Sequence, residues 1–184
     1  MKKMVKSLKS FLFYTVFLFY IYLLLDLLIF KYVSPMELFD SNRYFMRDVN
    51  LIPFHTISNY LFGGFDVSWS VASSNVFGNI LIFIPLGIYL YILKKNMKLS
   101  SSLLWIFLTS LSAEMIQYFL GVGASDIDDI ILNFSGGAIG ILLYKVLYFA
   151  FNSASQVKTV ITITSTVIGL PILVIYILVT IANS

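Results

Sequence analysis

Five apolar runs, each close to the length of a membrane span, constrain this chain more than any other feature. They cover about residues 10–30, 75–93, 100–120, 129–151 and 159–182. A helix of about 20 apolar residues crosses a bilayer with its backbone polar groups satisfied internally. Only 11% of the residues are charged, against about 25% in soluble domains. The sequence therefore predicts an all-α, polytopic integral membrane helical bundle of about five transmembrane helices.

These spans divide the chain into regions. A basic N-terminus covers residues 1–9, a four-span core covers residues 10–151, and residues 152–184 add a C-terminal transmembrane helix. Within the core, the long connection 31–74 joins the first two spans. Its aromatic and apolar content argues against disorder. We expect it to fold over the mouth of spans two to four, with Trp69 at the level of the lipid headgroups.

Lysines are concentrated in three regions: before the first span, between spans two and three, and beside the connection between spans four and five. They are Lys2, Lys3, Lys6, Lys9, Lys94, Lys95, Lys98, Lys145 and Lys158. The positive-inside rule places these regions in the cytoplasm. We therefore expect a multi-pass protein of the bacterial cell membrane with a cytoplasmic N-terminus and an external C-terminus. The long connection 31–74 is then an outer loop, and the acids, Asp66 among them, lie on or near the outer side.

Polar side chains recur at helical spacing inside three spans: Asn75 and Asn79 in the second, Glu114 and Gln117 in the third, and Asp129 and Asn133 in the fourth. Residues three or four positions apart share a helix face. A carboxylate within hydrocarbon costs about 2.5–3.5 kcal/mol. Glu114 should therefore face the bundle interior, either protonated or beside the amide donors of Asn79, Gln117 and Asn133.

Glycines accompany these polar residues. Gly136 and Gly140 would let a neighbouring backbone approach the fourth span, and Gly78 and Gly87 could do the same for the second. Taken singly, each amide or glycine is better explained by helix packing than by function.

Three aspartates, Asp126, Asp128 and Asp129, stand at the start of the fourth span. Capping a helix N-terminus explains one or two of them. The others, beside Glu114 and Asn133, would line an acidic pocket open to the outer face. Such a pocket could place a carboxylate as a base or hold a divalent cation, since Mg²⁺, Ca²⁺ and Mn²⁺ prefer oxygen ligands. The candidate metal ligands are Asp126, Asp128, Asp129 and Glu114, and the catalytic candidates are Glu114, Asp126, Asp129 and His55.

The segment RDVNLIPFHTI, residues 47–57, is the third polar element. Pro53 favours an extended conformation at Ile52, and we expect the apolar side chains of Leu51, Ile52 and Phe54 to be buried against the spans. Asn50 and His55 supply polar atoms.

The only arginines, Arg43 and Arg47, could pair with the acids or hold a phosphate bidentately. The predicted binding residues are therefore Asn50, Asn79, Glu114, Gln117, Asp126, Asp129, Asn133, Arg43 and Arg47.

Four motifs together resemble the VanZ-like family of bacterial membrane proteins. They are NLIPF at 50–54, GNILIFIPLG at 78–87, SAEMIQYF at 112–119 and GASDIDDIILNFSGGAIG at 123–140, all within about residues 47–148. The resemblance implies an envelope protein, because the founding member is linked to low-level resistance to teicoplanin, a glycopeptide antibiotic. Family members often carry an arginine where His55 stands, and some carry one where this chain has Gly123 and Ala124.

Three functions remain open. The first is a non-enzymatic envelope protein that binds or alters a lipid or lipid-linked component and so lowers susceptibility to glycopeptides. Its partners would be membrane lipids and either a lipid-linked cell-wall precursor or the antibiotic, with no nucleic acid. The alternative is a small intramembrane hydrolase or transferase acting on a lipid-phosphate or lipid-linked substrate, assisted by a divalent cation. A transporter or channel, with the acids as an ion path, is least favoured, because the five spans show no inverted repeat.

Overall fold

The structure, a computed structural model, describes residues 2–31, 33–34, 37–40, 42–43, 45–64, 68–93 and 98–182, with side chains from residue 7 onwards. Lys94, Lys95 and Asp66, which enter the predicted membrane orientation, lie outside the described residues.

The described chain is almost entirely helical. Its α-helices are α1 Lys2–Ile29, α2 His55–Phe62, α3 Trp69–Leu93, α4 Leu99–Leu120, α5 Ile127–Phe151 and α6 Ala154–Ala182. All except α2 are long and apolar enough to cross a membrane. A short 3-10 helix, Glu37–Phe39, and two two-residue strands, β1 Val49–Asn50 and β2 Ser125–Asp126, complete the elements. The predicted all-α, polytopic membrane bundle is confirmed, and the protein is a multi-pass membrane protein.

Helix α3 begins six residues before the predicted second span, at Trp69 rather than Asn75. The hydroxyl of Ser68 accepts the Val71 N–H at 3.3 Å, as an N-cap residue does. Asn75 then donates to the carbonyl oxygen of Val71 at 3.2 Å. The apolar run used for the prediction begins only at Asn75, so hydropathy alone did not include this polar start of the helix.

The chain divides into two compact units. One is Leu24–Tyr144, whose core includes the fully buried side chains of Phe83, Ile106 and Val122. The other combines Met1–Leu23 with Lys145–Ser184, where Phe13 and Val157 are buried.

Glycines bring α3 and α5 into backbone contact. A Cβ at Gly136 would collide with the carbonyl oxygen of Ile80, and one at Gly140 with that of Ile84. A Cβ at Gly87 would in turn collide with the carbonyl oxygen of Gly137. The close approach expected of these glycines is therefore present. At Gly78 a Cβ would meet nothing within 4 Å, so the expectation for that glycine is wrong.

The connection between α1 and α3 packs against the start of α5 through a parallel pair of strands. Asn50 of β1 lies opposite Asp126 of β2, and the Ser125 N–H donates to the carbonyl oxygen of Asp48 at 2.9 Å. An isolated bridge continues the pairing from Met46 to Val122. Because this pairing links the connection to the α4–α5 turn, it brings Asn50 beside the aspartates.

The predicted burial of Leu51, Ile52 and Phe54 is wrong. Their side chains are 70%, 65% and 60% exposed. This segment is held through its backbone and its polar side chains, so its apolar side chains point away from the protein. Exposed apolar side chains grouped in this way mark a surface that contacts lipid or a partner.

Candidate functional site

Asp129, in the first turn of α5, accepts hydrogen bonds from two other segments. The ammonium of Lys31, just beyond the end of α1, lies 3.0 Å from Asp129 Oδ2 and forms an ion pair. The amide of Asn79 in α3 donates to Asp129 Oδ1. A charged donor and an amide donor together offset the cost of removing the carboxylate from water.

Asp126 receives the polar side chains of the connection. The Asn50 amide donates to Asp126 Oδ1 at 3.1 Å, and the Thr56 hydroxyl donates to Asp126 Oδ2. The backbone N–H of Asp128 also donates to Asp126 Oδ1 at 2.9 Å. Asp126 therefore caps the N-terminus of α5, as the sequence suggested, and also binds the connection.

Asp128 is fully buried and turned towards α2. Its carboxylate accepts the N–H of Phe54 and, at 3.0 Å, the N–H of Ile57. These are orphan donors at the start of α2, which lacks a cap from its own residues. Phe54 adopts the left-handed backbone conformation, with φ 64°, which a non-glycine residue adopts at some cost. Asp128 thus anchors α2 to the bundle.

Glu114 is buried in α4 and accepts the backbone N–H of Asp126 at Oε2, 2.8 Å away. The expectation that side-chain amides would satisfy this carboxylate is wrong. Asn79 donates to Asp129 instead. The strand pairing brings a backbone donor to Glu114, and hydropathy patterns do not reveal such a donor.

Gln117 and Asn133, both predicted to bind a ligand, are buried elsewhere. The Gln117 amide donates to the carbonyl oxygen of Leu28 at 2.6 Å, near the C-terminal end of α1. The Asn133 amide donates to the Ser110 hydroxyl at 2.9 Å. These contacts join helices to one another, so both residues match the packing interpretation that the sequence also allowed.

The two arginines lie at the C-terminal end of α4. Arg43 donates to the carbonyl oxygen of Leu120 at 2.7 Å, and Arg47 donates to that of Phe119 at 3.3 Å. Both guanidinium groups lie over the Phe45 ring, 4.3 and 5.5 Å from its centroid. They complement the negative end of the helix dipole, and these contacts do not involve the acids.

A pocket of about 400 Å³ opens between the connection and the starts of α3 and α5. Six of its lining residues are Lys31, Asn50, His55, Asn75, Asp126 and Asp129. The structure therefore unites four predicted site residues, while Asn79 and Glu114 support the pocket through Asp129 and Asp126. Lys31, Thr56 and Tyr60 also line it and were not predicted as binding residues. The one sequence feature that could have identified Lys31 is its position. It is a cation directly after an apolar span, on the side of the membrane predicted to carry the acids.

Within the described ranges, no three His, Asp or Glu side chains are arranged to hold a metal ion. Each of the four candidate ligands accepts at least one N–H or O–H donor. The pocket therefore presents a mixed set of charges and hydrogen-bonding groups, suited to orienting a polar ligand.

Comparison with known proteins identifies the family of this chain. The family described as VanZ/LLP1 matches residues 11–149, a range that contains every pocket residue and ends before α6. Protein VanZ of Enterococcus faecium is 31% identical over 102 residues, which cover 55% of this chain and 55% of the relative. The chain thus spans about half the length of that relative, and no solved structure matches it. The chain belongs to the VanZ/LLP1 family.

Proposed function

We propose that this protein lowers the susceptibility of the bacterial cell to glycopeptide antibiotics such as teicoplanin. It does so by binding, in the pocket beside α5, the polar group of a lipid or of a lipid-linked envelope component. Membership of the VanZ/LLP1 family, together with the link between the founding VanZ-like member and teicoplanin, supports the envelope role.

The observation that carries this proposal is the composition of the pocket and its rim. Lys31 offers a cation, Asp126 and Asp129 offer acceptors, and amides such as Asn75 offer both donors and acceptors. The segment that supplies Asn50 also carries the exposed side chains of Leu51 and Ile52. A polar pocket beside an apolar rim fits a ligand that has a polar head and a lipid tail.

The proposed orientation places this pocket on the outer face of the membrane. The connection that lines the pocket follows a span whose first residues are preceded by lysines, and lysine-rich flanks remain in the cytoplasm. Glycopeptides act on wall precursors outside the membrane, so an outward pocket has access to the same compounds.

The test measures teicoplanin susceptibility of cells that express the protein or its variants at equal membrane levels. Asp129→Asn keeps the side-chain shape but removes the charge that faces Lys31, and should return susceptibility to that of cells without the protein. Asp40→Asn is the matched control, because Asp40 is an exposed aspartate of the same connection and does not line the pocket. Full protection by Asp129→Asn would contradict the proposal.

A second candidate function, a small intramembrane hydrolase or transferase, is favoured by one contact. The Thr56 hydroxyl donates to the Asp126 carboxylate, and the Asn50 amide holds that carboxylate in place. A hydroxyl beside a carboxylate base is an arrangement that acyl or phosphoryl transfer can use, and His55 lines the same pocket. Incubation of purified protein with lipid-phosphate and lipid-linked substrates distinguishes the two functions. Turnover that is lost in Thr56→Val and retained in Thr56→Ser would establish the enzyme.

A further inference from the structure

The unit formed by Met1–Leu23 and Lys145–Ser184 carries positive charge without any acid. Its charged residues are the lysines Lys2, Lys3, Lys6, Lys9, Lys145 and Lys158. No carboxylate side chain of the same unit can therefore neutralise them. Every aspartate and glutamate of the chain belongs to the other unit.

A cavity of about 340 Å³ lies between α1 and α6 within this unit. One end is lined by Lys9 and Ser10 of α1 and by Ser155 and Lys158 of α6. A second cavity of about 360 Å³ shares Lys9 and Ser155 with the first. Two lysines and the hydroxyl groups of two serines thus lie at this end, and each can donate a hydrogen bond to an anion.

The other end of the cavity is largely apolar. Its walls there include Ile163 and Val167. The Thr162 hydroxyl donates to its own helix, to the carbonyl oxygen of Lys158, and the Thr166 hydroxyl is buried and has no hydrogen-bond partner. From Ser155 to Val167 the helix rises about 18 Å, similar to the roughly 15 Å of hydrocarbon in one leaflet. Beyond this point α1 and α6 come together, since a Cβ at Gly169 would lie 3.3 Å from the Val16 side chain.

Aromatic rings fix one of the two ammonium groups at the entrance. Lys158 Nζ lies 4.0 Å from the centroid of the Phe13 ring and 5.4 Å from that of Tyr14. A cation–π contact positions the ammonium but does not neutralise its charge. An anion that binds between Lys158 and Lys9 would supply the counter-charge that this unit lacks.

We propose that this cavity is a binding site for an anionic phospholipid of the lysine-rich leaflet. The phosphate lies between Lys9 and Lys158, within reach of the hydroxyls of Ser10 and Ser155. One acyl chain follows α6 towards Val167. The site is separate from the pocket beside α5 and does not depend on the function proposed for it.

The test counts phosphatidylglycerol molecules bound to the full-length protein in a nonionic detergent, by native mass spectrometry across a lipid titration. The protein should bind one phosphatidylglycerol in preference to phosphatidylcholine with the same acyl chains. Lys9→Gln and Lys158→Gln should each weaken that binding about fivefold, the equivalent of about 1 kcal/mol per lysine near an anionic lipid.

Three further variants distinguish this site from a general attraction between lysines and anionic lipid. Lys145→Gln removes the same charge from the same unit but does not line the cavity, and should bind phosphatidylglycerol like the unaltered protein. Thr159→Phe fills the entrance without changing charge and should abolish the preference. Lys158→Arg keeps the cation and should retain at least half of the binding.

Three results would overturn the proposal. One is equal affinity for the two lipids, which would indicate a merely apolar groove. Another is an equal loss in Lys145→Gln and Lys158→Gln, which would indicate diffuse surface charge. The third is displacement of the lipid by millimolar inorganic phosphate, which would indicate an anion site that makes no use of the acyl chain.

Discussion

Asp129 is a largely buried carboxylate whose partners come from sequence-distant segments. Lys31 follows α1 and Asn79 lies in α3, while Asp129 itself begins α5. If Lys31 were lost, the carboxylate would keep one amide donor and lose its counter-charge. Leaving a buried charge without a partner destabilises a protein far more than an intact ion pair stabilises it. The local fold therefore depends on the ion pair, and the ion pair forms only in that fold.

A double-mutant cycle tests this dependence. Lys31→Met and Asp129→Asn should each lower the free energy of unfolding by about 2 kcal/mol, because each leaves one partner of a charged hydrogen bond unsatisfied. The double variant should be more stable than the sum of the two losses predicts, with a coupling energy of about 1–2 kcal/mol. Thermal unfolding in detergent measures all three. Strict additivity would mean that the pair contributes nothing to stability.

Asp128 gives a prediction about local order. Asp128→Ala removes the acceptor of the N–H groups of Phe54 and Ile57, and the loss of such a cap costs about 0.5–2 kcal/mol. Hydrogen exchange of the α2 amides should accelerate, while the amides in the middle of α4 should exchange as before. Asp40→Ala, in the same connection, provides the control. Unchanged exchange in α2 would show that Asp128 does not hold this helix.

At the residue scale the sequence predicted which side chains are polar and inward-facing, but not their partners. Glu114 is buried, as its depth in an apolar span required. Its donor is the backbone N–H of Asp126, which only the β1–β2 pairing brings within reach. Spacing along a helix defines a face, whereas a hydrogen bond also needs the position of a second element.

At the scale of elements, the α3–α5 contact is determined by small residues. Gly136 and Gly140 are one helical turn apart and face the carbonyl oxygens of Ile80 and Ile84. In a lipid bilayer the hydrophobic effect does not drive apolar helices together, so close backbone packing provides the main attraction. The sequence spacing predicted that these glycines allow a neighbouring helix to approach closely, but not which helix. It also could not distinguish Gly87, which takes part in the contact, from Gly78, which does not.

Alanine substitutions test the contact with an internal control. Gly136→Ala and Gly140→Ala should each destabilise the protein by about 1–3 kcal/mol, because the added methyl group overpacks the interface. Gly78→Ala, also within a helix, should be neutral or stabilising by up to about 1 kcal/mol, since alanine favours helix and nothing lies within 4 Å. Chemical unfolding in mixed micelles would measure these differences. Equal effects at all three positions would contradict the assigned contact.

At the scale of the whole molecule, the proposed orientation is open to a direct experiment. The chain contains no cysteine, so single cysteines report on one position each. In intact cells, a membrane-impermeant maleimide should label Asn42→Cys and Ala182→Cys. It should label Gln156→Cys only after permeabilisation, because the turn before α6 lies between Lys145 and Lys158. The reverse pattern would place the α5 pocket in the cytoplasm and remove the basis of the glycopeptide proposal.

The sequence by itself determined the number and approximate limits of the spans, because the thickness of hydrocarbon fixes the length of an apolar helix. It also determined that Glu114 had to face the bundle interior and there either find a donor or be protonated, since hydrocarbon offers no donor. Only the tertiary structure decided which donors Glu114, Asp128 and Asp129 have. It assigned Arg43 and Arg47 to the end of α4 rather than to the acids, and it brought Lys31 and Thr56 into the pocket. These contacts depend on the paths that the irregular segments take between the helices. Those paths are fixed by pairings between residues about 75 positions apart, such as Asn50 with Asp126.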